Sequence, residues 1–76
     1  MPKLPVLGFR EVDATLRRLG FVAVRQKGSH VFYRHDDGRT TTVPHHAGRD
    51  LSPPLLRAIL TDIRMSAEEF LRTLRS

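Results

Sequence analysis

The tetrapeptide Lys27-Gly28-Ser29-His30 is the part of this chain best suited to chemistry. A histidine exchanges protons near neutral pH, and a glycine lets a bulky ligand approach the backbone closely. RNA carries its own nucleophile, the ribose 2′-OH, so its cleavage needs a proton acceptor or donor and a cation that holds the phosphate. We therefore predict His30 as a general base or acid, with Lys27 and Arg25 holding the phosphate. The alternative is a surface histidine that follows a hairpin turn.

The other polar residues near this tetrapeptide have weaker predicted roles. Ser29 is a candidate hydrogen-bond donor to phosphate, although serine beside glycine is common in turns. His45 and His46 follow a proline, and together with His35 they raise the question of a metal site. Adjacent side chains of an extended chain point in opposite directions, and the chain has no cysteine. We therefore predict no metal, and we assign His46 as a substrate contact, with an ordinary polar loop as the alternative.

Apolar periodicity predicts the elements that position these residues. A stripe of apolar residues predicts a helix over 8–19 that ends at Gly20. Three runs rich in β-branched and aromatic residues predict strands, at residues 21–27, 30–35 and 39–43. The turn at Gly28 is of the type II′ pattern, and Pro44 is expected to stop the last strand. Serine caps at Ser52 and Ser66 predict two more helices, at residues 53–63 and 67–75.

This order, α-β-β-β-α-α, predicts an α+β fold with a three-stranded antiparallel sheet and helices on one face. The arrangement resembles the double-stranded-RNA-binding fold. Alternation puts His30, Phe32 and Arg34 on one face of the second strand and Val31, Tyr33 and His35 on the other. Both sets contain an aromatic residue, so the sequence leaves open which of them faces the helices.

Length, charge and composition restrict the class of protein. The 76 residues predict one domain over 1–76, and the net charge of +5 favours a polyanion such as RNA or an acidic protein as partner. Eleven of the thirteen cationic residues are arginine, which suits phosphate recognition. The lack of cysteine favours a reducing compartment. No apolar run approaches the ~18 residues of a membrane span, and the N-terminus lacks a signal sequence, so we expect a cytoplasmic protein without membrane contact.

Several motifs together resemble the HicA (YcfA-like) toxin family. They are Leu19-Gly20-Phe21, Arg25-Gln26-Lys27-Gly28-Ser29-His30, Asp37-Gly38-Arg39, Thr41-Thr42-Val43-Pro44, His46, Gly48-Arg49-Asp50-Leu51, Leu56-Arg57-Ala58-Ile59-Leu60 and Ser66-x-Glu68-Glu69-Phe70-Leu71. The resemblance implies the toxin of a type II toxin–antitoxin pair, with a double-stranded-RNA-binding-like fold, that cleaves mRNA and arrests translation and growth. It implies that His30 is catalytic, that a HicB-type antitoxin blocks the site, and that no metal or organic cofactor is used.

Two departures from the family pattern accompany this resemblance. Gly8 stands where the family often has a serine-type helix cap, and His45-His46-Ala47 is a variant of its Pro-x-His-Gly-Gly-like loop. Two other functions remain open on the residues alone. One is a non-catalytic RNA-binding module, which would not need His30. The other is an interaction protein whose basic face binds an acidic partner.

Overall fold

A computed structural model describes residues 4–46 and 48–76 of the chain, so the start of the N-terminal segment and Ala47 lie outside the described residues. The elements follow in the order β1 (Leu7–Gly8), α1 (Phe9–Arg18), β2 (Val22–Lys27), β3 (His30–Arg34), β4 (Thr40–Pro44), β5 (Asp50–Leu51), α2 (Pro53–Ile63) and α3 (Ala67–Arg75). This order confirms the predicted α+β class. None of the described helices is long and apolar enough to cross a membrane.

Strands β2, β3 and β4 form an antiparallel meander in that spatial order. One extra residue, Val24, makes a bulge in β2, because Ala23 pairs with Tyr33 and Arg25 pairs with Phe32. The last strand ends at Pro44, one residue beyond the predicted end at Val43, and Pro44 pairs with His30 as the final residue of β4. A proline is tolerated there because β4 is an edge strand, which does not need every N–H for the ladder.

The structure contains a second, two-stranded sheet that the sequence does not predict. Leu7 pairs with Leu51, and Gly8 pairs with Asp50, so β1 and β5 join the chain before α1 to the chain before α2. Both leucines are buried. Each strand has two residues, which is too short for any apolar alternation to be visible. This sheet holds the beginning of α1 beside the segment that follows β4.

The core lies between the three-stranded sheet and the helices. Its largest fully buried side chains come from every helix, from β3 and β4 and from the segment just before β2; they include Val12, Leu16, Phe21, Tyr33, Val43, Leu56, Ile59, Ile63 and Phe70. Each such apolar side chain contributes roughly 1.5–3 kcal/mol by leaving water. Val31 and Tyr33 point into this core, so they form the face of β3 that the helices cover, a choice that the sequence leaves open. His30, Phe32 and Arg34 therefore lie on the face that no helix covers, which we call the open face.

Two buried hydroxyl groups connect the sheet to the helices. The Tyr33 hydroxyl donates a hydrogen bond of 2.6 Å to the Asp13 carboxylate in α1. The Thr41 hydroxyl donates one of 3.0 Å to Asp62 in α2. Burial, together with the neighbouring Asp13 carboxylate, raises the pKa of Tyr33 well above its usual range. The strand residues that face the helices are thus fixed by polar contacts as well as by packing, and this fixes the orientation of the open face.

Candidate active site on the open sheet face

The turn between β2 and β3 has the geometry that its glycine predicts. Gly28 has φ +58°, whereas Ser29 has a negative φ, and this combination is the one that a type II′ turn requires. The Gln26 side-chain amide donates a hydrogen bond of 3.1 Å to the Gly28 carbonyl, and the His45 N–H donates one of 2.5 Å to the Ser29 carbonyl. No heavy atom lies within 4 Å of the position that a β-carbon on Gly28 would occupy. The turn is held from both sides, and its outer surface is open to a ligand.

His30 is exposed at the first position of β3. Its neighbours across the sheet are Lys27 in β2 and Pro44 in β4. The Cβ atoms of directly opposed residues lie about 4.5–5.5 Å apart on one face, so the Lys27 and His30 side chains leave the sheet from adjacent positions. Arg25 lies farther along β2 on the same face, opposite Phe32. The sheet thus brings together the predicted residues His30, Lys27 and Arg25.

Phe32 occupies the middle of the open face and is half-buried. The Arg25 guanidinium carbon lies 4.6 Å from the centre of the Phe32 ring, in a cation–π contact. A shallow depression runs along this part of the sheet and is bordered by Arg25, Phe32, Arg34 and Thr42. Residue types and spacing alone predict no role for Phe32 or Arg34. The alternation that starts at His30 is the signal that could have included them.

The open face carries charge of one sign. The described residues that the strand pairing puts there are Val22, Arg25, Lys27, His30, Phe32, Arg34, Thr40, Thr42 and Pro44. None of these is acidic, and three are permanently cationic near neutral pH. Clustered charges of one sign raise the local concentration of a ligand of the opposite sign. This face is therefore suited to an RNA strand or to an acidic protein.

A second depression, which we call the α1 groove, lies between the beginning of α1 and the segment after β4. The described residues that line it are Gly8, Phe9, Arg10, Glu11, His45, His46, Gly48, Arg49 and Asp50. His46 borders this groove. The groove adjoins the β2–β3 turn, because His45, which also lines the groove, donates its N–H to the Ser29 carbonyl. The role of His46 as a substrate contact stays a prediction.

His45 has a ring partner that the sequence did not reveal. Its imidazole stacks on the phenyl ring of Phe9, with the ring centres 3.9 Å apart and the planes 8° apart. Phe9 belongs to the apolar stripe of the first helix, but it is only half-buried. No local pattern could predict the stack, because it depends on how β4 and the start of α1 meet in space.

His35 lies away from the open face and has a structural environment. Its Nε2 is 3.1 Å from the Leu19 carbonyl oxygen, and its Nδ1 accepts a hydrogen bond of 3.1 Å from the Asp37 N–H. The same Nδ1 lies 3.2 Å from the Asp37 Oδ1, so both ring nitrogens have polar partners. Within residues 4–46 and 48–76, no three His, Cys, Asp or Glu side chains form a cluster that could hold a metal ion.

A comparison with models of protein families identifies the family of this chain. A family model described as the HicA toxin of bacterial toxin–antitoxin systems matches residues 9–65, which is more than half of the chain. The chain belongs to the HicA toxin family. A search among curated proteins found no significant match.

The region that matches the HicA family contains the β2–β3 turn, the whole open face and most of the α1 groove. It begins at the first residue of α1 and ends just after α2, whereas α3 lies beyond it. A HicA toxin belongs to a toxin–antitoxin module, so membership implies an antitoxin as the partner of this chain. The two surfaces described above are the ones to consider for the activity of the toxin and for its control.

Proposed function

We propose that this HicA-family toxin is an endoribonuclease, an mRNA interferase that arrests translation and growth by cleaving mRNA in the cytoplasm. Its activity resides in a single domain over residues 1–76 and uses no metal or organic cofactor. His30 is the catalytic residue, and the RNA phosphate is bound by Lys27, Arg25 and the turn residues Gly28 and Ser29. A HicB-type antitoxin neutralises the toxin.

The arrangement of charge around His30 is the observation that supports this proposal. Lys27 is the direct cross-strand neighbour of His30, and Arg25 lies on the same uncovered face. That face has no carboxylate among its described residues, so a phosphate near His30 meets attraction without a competing anion. The open space over Gly28 permits the RNA backbone to approach the turn.

The reaction that fits this geometry uses the 2′-OH of the substrate as the nucleophile. The 2′-oxygen forms a bond to phosphorus, and the bond from phosphorus to the 5′-oxygen of the next nucleotide breaks. The products are a 2′,3′-cyclic phosphate and a free 5′-OH. His30 either accepts the 2′-OH proton or donates a proton to the leaving 5′-oxygen. Lys27 and Arg25 stabilise the charge that develops on the phosphoryl oxygens.

The same face suits the antitoxin. A partner with acidic side chains would be attracted by the cations that attract the RNA. An antitoxin bound there would cover His30, so one surface would account for both activity and neutralisation. The proposal predicts that RNA and antitoxin compete for the toxin.

The test is cleavage of a single-stranded RNA by the purified toxin, wild type beside His30→Ala. We expect the variant to lose about 10²–10⁴-fold in cleavage rate, because that is the usual contribution of a positioned histidine. Lys27→Ala is compared with Arg57→Ala, which removes the same charge from the exposed surface of α2. Lys27→Ala should lower both RNA affinity and cleavage rate more than Arg57→Ala does.

Three results would contradict parts of this proposal. RNA binding without any product from the wild type would indicate a non-catalytic RNA-binding module. Cleavage that survives His30→Ala would mean that another group is catalytic. Equal effects of Lys27→Ala and Arg57→Ala would show that Lys27 contributes only to net charge and does not hold the scissile phosphate.

A further inference from the structure

One wall of the α1 groove is a pair of stacked rings. The imidazole of His45 lies nearly parallel to the ring of Phe9, at 3.9 Å between centres. His45 is exposed although one of its two ring faces is covered by Phe9. Its accessible surface therefore includes the ring face and edge that point away from Phe9. A flat ring, supported from behind and accessible from the front, is the surface on which a nucleobase stacks.

The position of this ring is fixed relative to the proposed catalytic residue. His45 directly follows Pro44, which is the cross-strand neighbour of His30. A cross-strand pair spans about 5 Å and one further residue adds about 3.3 Å, so the Cα atoms of His45 and His30 lie within roughly 10 Å of each other. The His45 N–H also donates to the Ser29 carbonyl within the β2–β3 turn. This hydrogen bond connects His45 directly to the turn that precedes His30.

The rest of the groove suits the backbone of the same nucleotide. Arg10 and Arg49 lie on its border and are exposed. Guanidinium groups bind phosphate oxygens in a forked geometry. Two carboxylates, those of Glu11 and Asp50, also line the groove, and Glu11 accepts a hydrogen bond of 3.0 Å from the Gly8 N–H. This contact holds part of the groove's negative charge at the beginning of α1.

We propose that the His45–Phe9 stack is a nucleobase-binding subsite for single-stranded RNA, and that it accepts the base of a nucleotide next to the scissile bond. This inference rests on the proposed function, since it takes RNA as the ligand. The base must be unstacked from its neighbour on that side, as bases of single-stranded RNA can be, because its ring face has to be free for the stack. The site recognises a ring face and not a pattern of hydrogen bonds, so it selects for an unstacked base more than for a particular one.

The test measures binding of short single-stranded RNAs that have one abasic nucleotide at each position in turn around the cleavage site. All proteins carry His30→Ala, so that binding is measured without cleavage. With the His45 ring present, we expect one position at which loss of the base weakens affinity about tenfold, or about 1.4 kcal/mol. His45→Ala should bind the intact RNA about tenfold more weakly and should lose the penalty for that abasic position.

The matched control is His45→Phe, which keeps an aromatic ring on Phe9 but removes the imidazole nitrogens. It should retain the abasic penalty, and circular dichroism should show that all variants are folded. If His45→Ala retains the same penalty as the parent protein, or if no abasic position matters to the parent, the subsite assignment is wrong. If His45→Ala weakens only antitoxin binding and leaves base dependence unchanged, the occupant is the antitoxin and the inference is also wrong.

Failure of the proposed function gives a result that differs from failure of the subsite assignment. It would appear as an absence of His30-dependent cleavage in the otherwise unchanged protein, measured in the separate cleavage assay. His30-dependent cleavage combined with base-independent binding would overturn the subsite alone. A toxin that neither cleaves nor binds RNA would overturn both proposals.

Discussion

Replacement of Gly20 by alanine should destabilise the protein by acting on His35. Gly20 follows α1 with φ +97°, a conformation that residues with a β-carbon rarely adopt. A β-carbon there would lie 2.9 Å from the His35 Nε2 and 3.2 Å from its Cδ2. The imidazole would have to move, and the contact between its Nε2 and the Leu19 carbonyl would be lost.

The expected cost has two parts. The backbone conformation costs roughly 1 kcal/mol for a residue with a β-carbon. Loss of the hydrogen bond from His35 to Leu19 costs about 1 kcal/mol more. The sum of about 2 kcal/mol corresponds to a fall in Tm of about 8–16 °C, because 1 kcal/mol shifts a domain of this size by about 4–8 °C.

Gly38→Ala supplies a matched control. Gly38 has the same φ of +97°, but no heavy atom lies within 4 Å of the position of its β-carbon. It should therefore show only the backbone part, a fall of about 4–8 °C in thermal unfolding followed by circular dichroism. The difference between the two variants isolates the contact with His35.

A double-mutant cycle completes this experiment. In a His35→Ala background the imidazole is gone, so Gly20→Ala should cost no more than Gly38→Ala does. If Gly20→Ala and Gly38→Ala have equal effects in the wild-type background, then the proposed steric contact does not determine stability. If the extra cost of Gly20→Ala persists without His35, its cause lies elsewhere.

Two further predictions concern the helices. Tyr33 is the only tyrosine and the chain has no tryptophan, so ultraviolet absorbance follows its ionisation directly. Because the pKa of Tyr33 is raised in the folded state, the free energy of unfolding should fall as pH rises above about 10, the usual tyrosine pKa. Tyr33→Phe should remove that pH dependence. Phenolate that appears near pH 10 in the folded protein would contradict the assignment. Ser66→Ala should cost about 1 kcal/mol in urea unfolding, because the Ser66 hydroxyl accepts a 3.1 Å hydrogen bond from Glu69 in a capping box. Ser52→Ala should cost less, since its capping bond is 3.4 Å, and the reverse order would show that these distances do not rank the caps.

Elements with strong local signals could be predicted closely from the sequence. The second predicted helix, 53–63, matches α2, because Ser52 and Pro53 mark its beginning and Arg64 ends it in the left-handed conformation, with φ +57°. The third, 67–75, matches α3 because of the capping box at Ser66. The grouping of His30, Lys27 and Arg25 on one face followed from strand alternation and a turn of known length.

Features that depend on distant parts of the chain could not be predicted in this way. The choice of buried face on β3 depends on the helices, because Val31 and Phe32 are equally suited to a core by composition. The pairing of Leu7 with Leu51 joins two short segments that carry no pattern of their own. The stack of His45 on Phe9 needs that pairing to be in place. The sequence also does not predict that Pro44 itself pairs with His30, because a proline joins a ladder only where its strand lies at an edge.

The bulge at Val24 matters for the colloidal behaviour of the protein. Val22 and Val24 are 57% and 58% exposed on the outer strand β2, which alone would invite aggregation. The extra residue disturbs the even spacing of outward N–H and C=O groups, and Pro44 has no N–H to offer on the opposite edge. Arg25 and Arg34 add mutual repulsion between copies, which salt screens over about 8 Å at physiological ionic strength. A sheet that leaves one face bare for a ligand thus resists fibril-like growth through its irregular edges and its charge.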